Sequence, residues 1–383
     1  MITTLAVENH RSLHRLVLPL GPLTVVTGAN GTGKSSLYRS LRLLADAARG
    51  GAVAALAREG GLPSALWAGP EKPGPAVGVG TARGDAVGLR LGFAGDDFGY
   101  AVDFGYPGGA AGHPRSLFTL DPEIKAEAVW SGPVLRPAAL LSERKGPYVK
   151  VRSADGGWHR HGGRLRAYVS MLSEVADPQH APDVLAVRER VRGWRFYDHV
   201  RTDAHAPARE ARIGTRTPVL AGDGSDLAAA LQTIREIGGD EALDAAVDAA
   251  FPGSRVEIEP LGDRLELRLR QRGLLRPLTA AELSDGTLRY LIWTAVLLTP
   301  RPPELLVLNE PETSLHPDLL PPLADLISAA AHRSQLVTVT HSRPLTTALT
   351  PAAHVVELAK ENGRTTVRGQ GLLDEPAWHW PKR

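Results

Sequence analysis

A chain of 383 residues that is 43% hydrophobic and 22% charged has an ordinary folded composition, long enough for one core plus an inserted or appended subdomain. It contains no cysteine, which excludes disulfides, thiolate zinc sites and cysteine nucleophiles. A net charge of +2 is too close to neutral to argue for nucleic-acid binding by itself, so any such surface must be local.

Residues 1–8 show no basic region followed by an apolar core, so they read as a strand and not as a signal peptide. Short strands are expected at 2–8, 13–18 and 23–27, the last a β-branched apolar run. Leu37, Leu41 and Leu44 then repeat at helical spacing, in a helix expected to reach about Arg49. Glycine pairs at 50–51 and 60–61 bracket a second helical stretch at 52–58. From 76 to 158 the pattern changes to short alternating segments, such as 87–91 and 126–130, which is an antiparallel sheet signature. Helical spacing returns at 165–175 and 184–191. A further helix is expected from Ser225, carrying Leu227, Leu231 and Ile234, and another at 241–250. Strands 256–259 and 265–269 pair as a hairpin across Gly262-Asp263. The 40 Gly and 30 Pro fall between periodic segments and indicate turns. The longest apolar segment, 291–298, is too short to span a bilayer, so a cytoplasmic protein without a membrane partner is expected.

Four stretches carry chemistry. Gly28-Ala29-Asn30-Gly31-Thr32-Gly33-Lys34-Ser35-Ser36 fits the phosphate-loop pattern and sits between a strand and a helix, where its glycines free backbone N–H groups for phosphate oxygens. A nucleoside triphosphate such as ATP is the expected ligand: Lys34 reaches the β and γ phosphates, Ser35 ligates Mg²⁺ and Ser36 lies near the α phosphate. The second stretch is Glu282-Leu283-Ser284-Asp285-Gly286-Thr287-Leu288-Arg289, ahead of an apolar helix. The third, Leu305 to Glu312, reads as a buried parallel strand ending Asn309-Glu310, and the fourth, Gln335 to Ser342, as another ending at His341. Ligands collect beyond the carboxyl ends of such strands, so these ends are expected to converge on the phosphate loop.

In this order the motifs resemble those of the ABC-type ATPases of the SMC and RecF group, and more narrowly the stand-alone ATPases related to the ATPase domain of OLD-family nucleases. The resemblance covers the core at both ends of the chain. It implies an α/β fold with a P-loop NTPase core, here with an antiparallel β lobe and an inserted compact helical arm. It implies a head-to-tail homodimer formed on ATP binding, with Leu283-Ser284-Asp285-Gly286 as the signature that contacts the γ phosphate held by the opposite protomer. Glu310 would polarise the attacking water, Ser314-Leu315-His316 would lie between the two sites, and His341 would sense the γ phosphate. Ser284 is also a good helix cap, and the two roles are compatible. The departure is Asn309, where most P-loop ATPases have aspartate: an amide accepts from a metal-bound water but adds no negative charge, so weaker Mg²⁺ binding and slow hydrolysis are expected. No convincing glutamine loop is found, since no glutamine precedes Gln179.

The division expected is 1–160 for the first part of the core and the β lobe, 161–252 for the arm, and 253–383 for the rest of the core. Arg190, Arg192, Arg195, Arg201, Arg209 and Arg212 are interleaved with Trp194, Phe196 and Tyr197. They read either as a nucleic-acid face or as a solvated surface with Asp198, Asp203 and Glu210 as partners. Arg264, Arg268, Arg270, Arg272 and Arg276 allow the same two readings. His159, His161, His199 and His205 have no consistent metal spacing. Trp378 and Trp380 are expected to anchor the tail. About forty residues follow His341, too few for the nuclease domain of OLD-type proteins. Two functional classes remain: an ATPase acting on double-stranded DNA in repair, recombination or defence, and a nucleotide-dependent switch for a separately encoded effector protein. A transporter ATPase subunit is a weaker third.

Overall fold

The computed structural model describes residues 1–69, 88–107, 117–118, 120–153, 156–198, 200–371 and 374–383. Part of the expected β region, including 76–87, and His199 lie outside the described residues. The chain forms two compact units, one of residues 1–21, 28–194 and 356–383, the other of 22–27 and 195–355.

The first unit is built on an eight-stranded antiparallel sheet in the order Leu13–Pro19, Ile2–His10, Gly88–Gly95, Phe98–Gly105, Glu123–Ser131, Leu140–Lys145, Tyr148–Arg152, Trp158–Arg160. Its central strands are buried on both faces, so Tyr100, Val102 and Phe104 alternate with the equally buried Ala101. The helix Lys34–Ala48 buries Leu37, Leu41, Leu44 and Ala48, the stripe expected of an amphipathic helix. Trp378 and Trp380 pack against a cluster of Ala94, Ala101, Ala128 and Trp130, as expected of a tail anchor. Gly92 is required there, because a Cβ would come within 2.5 Å of the Trp378 ring.

A buried ion pair organises the far side of this sheet. Arg144 Nη1 lies 3.0 Å from Glu127 Oε2, both side chains fully buried. Glu127 also accepts from the Tyr100 hydroxyl at 2.6 Å, from the Met171 amide at 2.8 Å and from Ser170. Arg144 donates to the carbonyls of Gly146, Arg166 and Val169. These bonds explain why the helical spacing at 165–175 yields only the short helix Met171–Glu174. The carbonyls of 166 and 169 are bonded to Arg144, and Ser170 caps the helix start by accepting from the Leu172 amide at 3.0 Å. Burial and the neighbouring Glu127 carboxylate push the Tyr100 hydroxyl well above the usual tyrosine range.

The second unit contains four parallel strands in the order Arg195–Tyr197, Leu305–Asn309, Gln335–Val339, Leu23–Gly28. Continuous apolar runs such as Leu305-Leu306-Val307-Leu308 fit strands covered on both faces. Leu23, Val25, Leu306, Leu308 and Leu336 share one core with Leu231, Leu288, Trp293, Leu323 and Ile327, carried by helices Leu227–Ile234, Asp285–Leu297 and Leu320–Ala330. The hairpin Arg255–Leu261 with Arg264–Arg270 turns at Gly262, whose φ is 65°. The stretch 161–252 carries several helices and two short strands and is shared: 161–194 belongs to the first unit and 195–252 to the second. Strand Arg195–Tyr197 pairs in parallel with Leu305–Asn309; three residues beginning with an arginine are too short a run to be read as a buried strand. The expected helix at Ser225 starts at Leu227, because Asp226 bonds back to the Ala221 amide at 2.9 Å. Among the described residues no helix is long and apolar enough to cross a membrane.

Removing Arg144 leaves the buried Glu127 uncompensated. Arg144→Ala is expected to cost on the order of 3–5 kcal/mol, read as a fall in the urea midpoint, whereas Arg136→Ala on the exposed surface stays within about 0.5 kcal/mol.

Candidate nucleotide site

The phosphate loop lies in the first unit. Gly28, Gly31 and Gly33 have φ of 146°, 79° and 104°, values that side chains beyond glycine rarely adopt. Gly33 is further constrained because a Cβ would strike Ser12 Oγ at 2.9 Å and the hydroxyl of Thr365. The helix Lys34–Ala48 follows with no side-chain cap, the kind of helix start at which anions bind. Lys34 is buried and donates from Nζ to the carbonyls of Gly28 at 2.7 Å and Ala29 at 3.0 Å. Thr32 is buried and bonds to the Ala29 carbonyl at 2.8 Å, while Asn30 and Ser35 are exposed and Ser36 is buried. Thr365, which the sequence did not single out, braces the loop: its hydroxyl donates to the Thr32 carbonyl at 2.8 Å and its amide to the Ser12 carbonyl at 2.9 Å.

The other motifs lie in the second unit. Strands Leu305–Asn309 and Gln335–Val339 are neighbours in parallel register, Asn309 facing Val339, so their carboxyl ends emerge together. The chain turns at once after Asn309. Glu310 has φ of 50° and Ser314 of 62°, left-handed positions that are uncommon for residues other than glycine. The turn is pinned by Glu310 N–H on the Val339 carbonyl at 2.7 Å and by the Trp293 indole on the Pro311 carbonyl at 2.9 Å.

Glu312 joins the two strand ends. Its Oε1 accepts from the Thr340 hydroxyl at 2.5 Å, the His341 amide at 3.0 Å and the Ser342 amide at 3.2 Å. The same oxygen lies 3.3 Å from His341 Nδ1, and Glu310 Oε1 lies 3.7 Å from that nitrogen. Glu312 is buried while Glu310 and His341 face solvent, with side-chain exposures of 41% and 52%. The Oδ1 of Asn309 is buried and has no hydrogen-bond partner among the described residues. A neutral acceptor without a partner can take a hydrogen bond from a metal-bound water.

Ser284 caps the helix Asp285–Leu297, accepting from the Thr287 amide at 3.1 Å, so the capping role is realised. Gly286 approaches the turn after Glu310: a Cβ would lie 2.9 Å from the Ser314 carbonyl oxygen. A cavity of ≈ 350 Å³ opens beside the turn, walled by Asn309, Glu310, Thr313, Asp285, Arg289 and the loop 200–203. Arg289 is buried, burial lowers its pKa, and its Nε has no partner among the described residues.

The arginine stretches are not bare cationic faces. Arg201 pairs with Asp203 at 2.7 Å and Arg212 with Glu210 at 2.7 Å, two of the acids expected as partners. Arg268 pairs with Glu266, Arg270 with Glu257 and Arg276 with Glu282, at 2.7, 2.6 and 2.6 Å. Trp194 and Tyr197 are buried, which removes them as stacking platforms. His180 and His161 face Asp177, and among the described residues no group of three or more His, Asp or Glu could hold a metal.

Residues 160–348, just under half of the chain, match the family described as "AAA domain, putative AbiEii toxin, Type IV TA system". A segment of 44 residues is 46% identical to an OLD nuclease of Thermus scotoductus; it is 12% of this chain and 8% of that protein. Among solved structures, an SMC head bound to the C-winged helix domain of ScpA aligns with a TM-score of 0.51 at 13% identity, over 97% of this chain and 98% of that one. The SMC head domain from Thermotoga maritima aligns at 0.47 and 13% identity, over 97% and 99%. At such identity the likeness is one of fold. With the phosphate loop, signature turn, acidic strand end and histidine in this order, the chain has an SMC-head fold and is similar to ABC-type ATPases related to the OLD family.

Proposed function

We propose that the chain binds and slowly hydrolyses ATP with Mg²⁺, and that two copies close around two nucleotides as a switch acting on a separate effector protein. The observation that carries this reading is the group formed by Glu310, His341 and the buried, unpartnered Asn309 oxygen at adjacent parallel strand ends.

In this reading the glycine-rich loop and the uncapped helix start bind the phosphates. Lys34 exchanges its carbonyl partners at Gly28 and Ala29 for β and γ oxygens. Ser35 and, through water, Asn309 would hold Mg²⁺, which would supply charge neutralisation at the phosphates. Glu310 accepts a hydrogen bond from the attacking water and turns a lone pair toward the γ phosphorus, while His341, oriented by Glu312, contacts the γ phosphate. Ser284 and the amides at the start of its helix serve the nucleotide of the opposite protomer. The work is positioning and charge stabilisation. A neutral Asn309 leaves less negative charge around the ion, hence slow turnover. The engaged arginines and buried aromatics favour a protein effector over DNA, since binding duplex phosphates would require breaking existing ion pairs.

Glu310→Gln should lower phosphate release by about 10²-fold while leaving the affinity for a fluorescent ATP analogue unchanged and retaining an ATP-dependent dimer by light scattering; full turnover in this variant rejects the assigned base. Asn309→Asp should raise turnover and lower the Mg²⁺ concentration needed for half-maximal rate. Unchanged Mg²⁺ dependence overturns the account of slow hydrolysis. Linear duplex DNA is expected not to stimulate the rate; stimulation that vanishes as salt rises transfers the assignment to DNA engagement.

A further inference from the structure

We propose that Arg209 is a positioning residue that couples the signature turn to Glu310, so that engagement of Ser284 with a nucleotide in trans resets the wall facing the catalytic carboxylate. The inference rests on the ATPase reading above and deepens it by naming how the site is regulated.

Arg209 occurs in a stretch that reads as surface, yet its side chain is only 8% exposed. Its Nη1 donates to the carbonyls of Ala280 at 2.8 Å and Leu283 at 2.7 Å, on the segment leading into the signature. Its Nη2 bonds the Asp285 carboxylate at 2.7 Å and the Thr202 carbonyl at 2.7 Å. Its Nε bonds the carbonyls of Thr202 and Asp203, both at 3.0 Å. One planar fork therefore ties the signature turn to the loop at 200–203, a geometry that the single ammonium of lysine does not reproduce.

The same loop is held from its other side. Arg289 is one helical turn beyond Asp285 and donates from Nη2 to the Val200 carbonyl at 2.9 Å. Its remaining Nε, buried and without a partner among the described residues, belongs to a side chain that lines the cavity with Asn309 and Glu310. A displacement of Asp285 by a nucleotide thus pulls Arg209, shifts the loop and moves Arg289 relative to Glu310. Gly286 against the Ser314 carbonyl is a second, shorter contact between signature and turn. The bonds thus run from the signature turn to the loop at 200–203 and Arg289, which share a cavity wall with Glu310.

The test compares Arg209→Lys and Asp285→Asn with the full-length wild type in three measurements: steady-state ATP turnover, affinity for a fluorescent ATP analogue, and melting temperature without nucleotide. Coupling predicts that kcat falls by about 10-fold for Arg209→Lys and about 3-fold for Asp285→Asn, with KM and analogue affinity unchanged. A purely structural Arg209 lowers the melting temperature while kcat per folded protein stays at the wild-type value, and that result overturns the proposal. Asp285→Asn keeps every carbonyl bond of Arg209, so an unchanged kcat there also overturns it even if Arg209→Lys does not fold. Absence of turnover in the wild type instead rejects the ATPase reading and the coupling with it.

Discussion

The carboxyl end of the parallel sheet depends on one oxygen of Glu312. Parallel strands bring their carboxyl ends side by side, but they do not orient the residues beyond them, because the ladder ends there. Glu312 continues the order past the ladder by accepting from Thr340, His341 and Ser342 at once. Its burial is tolerated because charge-assisted bonds to two backbone amides and a hydroxyl replace water around that oxygen. The cost of removing this carboxylate would thus appear first as disorder of His341, a residue whose own exposure gives it little other packing.

The turn that makes this possible is strained. Two non-glycine residues, Glu310 and Ser314, hold left-handed backbones, each at a cost of about 1–2 kcal/mol. Surrounding contacts over-determine them: the Val339 carbonyl holds Glu310, Trp293 holds Pro311, and Gly286 allows the signature helix to approach Ser314. Trp293 and Gly286 belong to one helix, whose residues 288–297 are all buried. The helix that presents the signature stretch is therefore also the support of the turn at 310–314. The left-handed φ at Glu310 turns the chain off the strand axis at the point where Glu310 lines the cavity.

Much of the site was legible because its signals are local. Glycines at fixed spacing before a helix, β-branched runs ending in acid or histidine, and a serine before an apolar helix each occupy fewer than ten consecutive residues. Thr365 and Arg209 lacked such signals, and Glu312, although it closes the third stretch, was given no role there. Thr365 meets Thr32 across 333 positions and Arg209 meets Asp285 across 76, and most of their partners are backbone carbonyls or amides, which every residue carries. The arginine stretch at 190–212 shows the same limit from the other side. Its charges suggested a face, yet Arg209 turns inward and Trp194 and Tyr197 are core residues, because strand Arg195–Tyr197 completes a sheet whose other strands lie far along the sequence. The helix expected at 165–175 failed for a related reason: Arg144, over twenty positions away, binds the carbonyls that a helix would have used.

Polar satisfaction separates structural from functional groups in this chain. In the β lobe, Glu127 and Arg144 are buried completely and each is bonded on several sides, which makes that network rigid. At the sheet end the pattern reverses. Among the described residues, the buried amide, carboxylate and guanidinium groups that retain an unpartnered atom are Asn309, Glu312 and Arg289, all within 24 positions and two of them on the wall of one cavity. Each such atom costs about 1–3 kcal/mol of desolvation without compensation, an expense that packing alone does not explain. Satisfied networks need no ligand, whereas a polar group entering the cavity would supply partners to Asn309 and Arg289. Other buried side-chain atoms without a hydrogen-bond partner among the described residues, such as those of His10, Trp130, Thr366 and Trp378, lie away from the motifs, so it is the grouping of Asn309, Glu312 and Arg289 on two motif stretches that sets this end of the sheet apart.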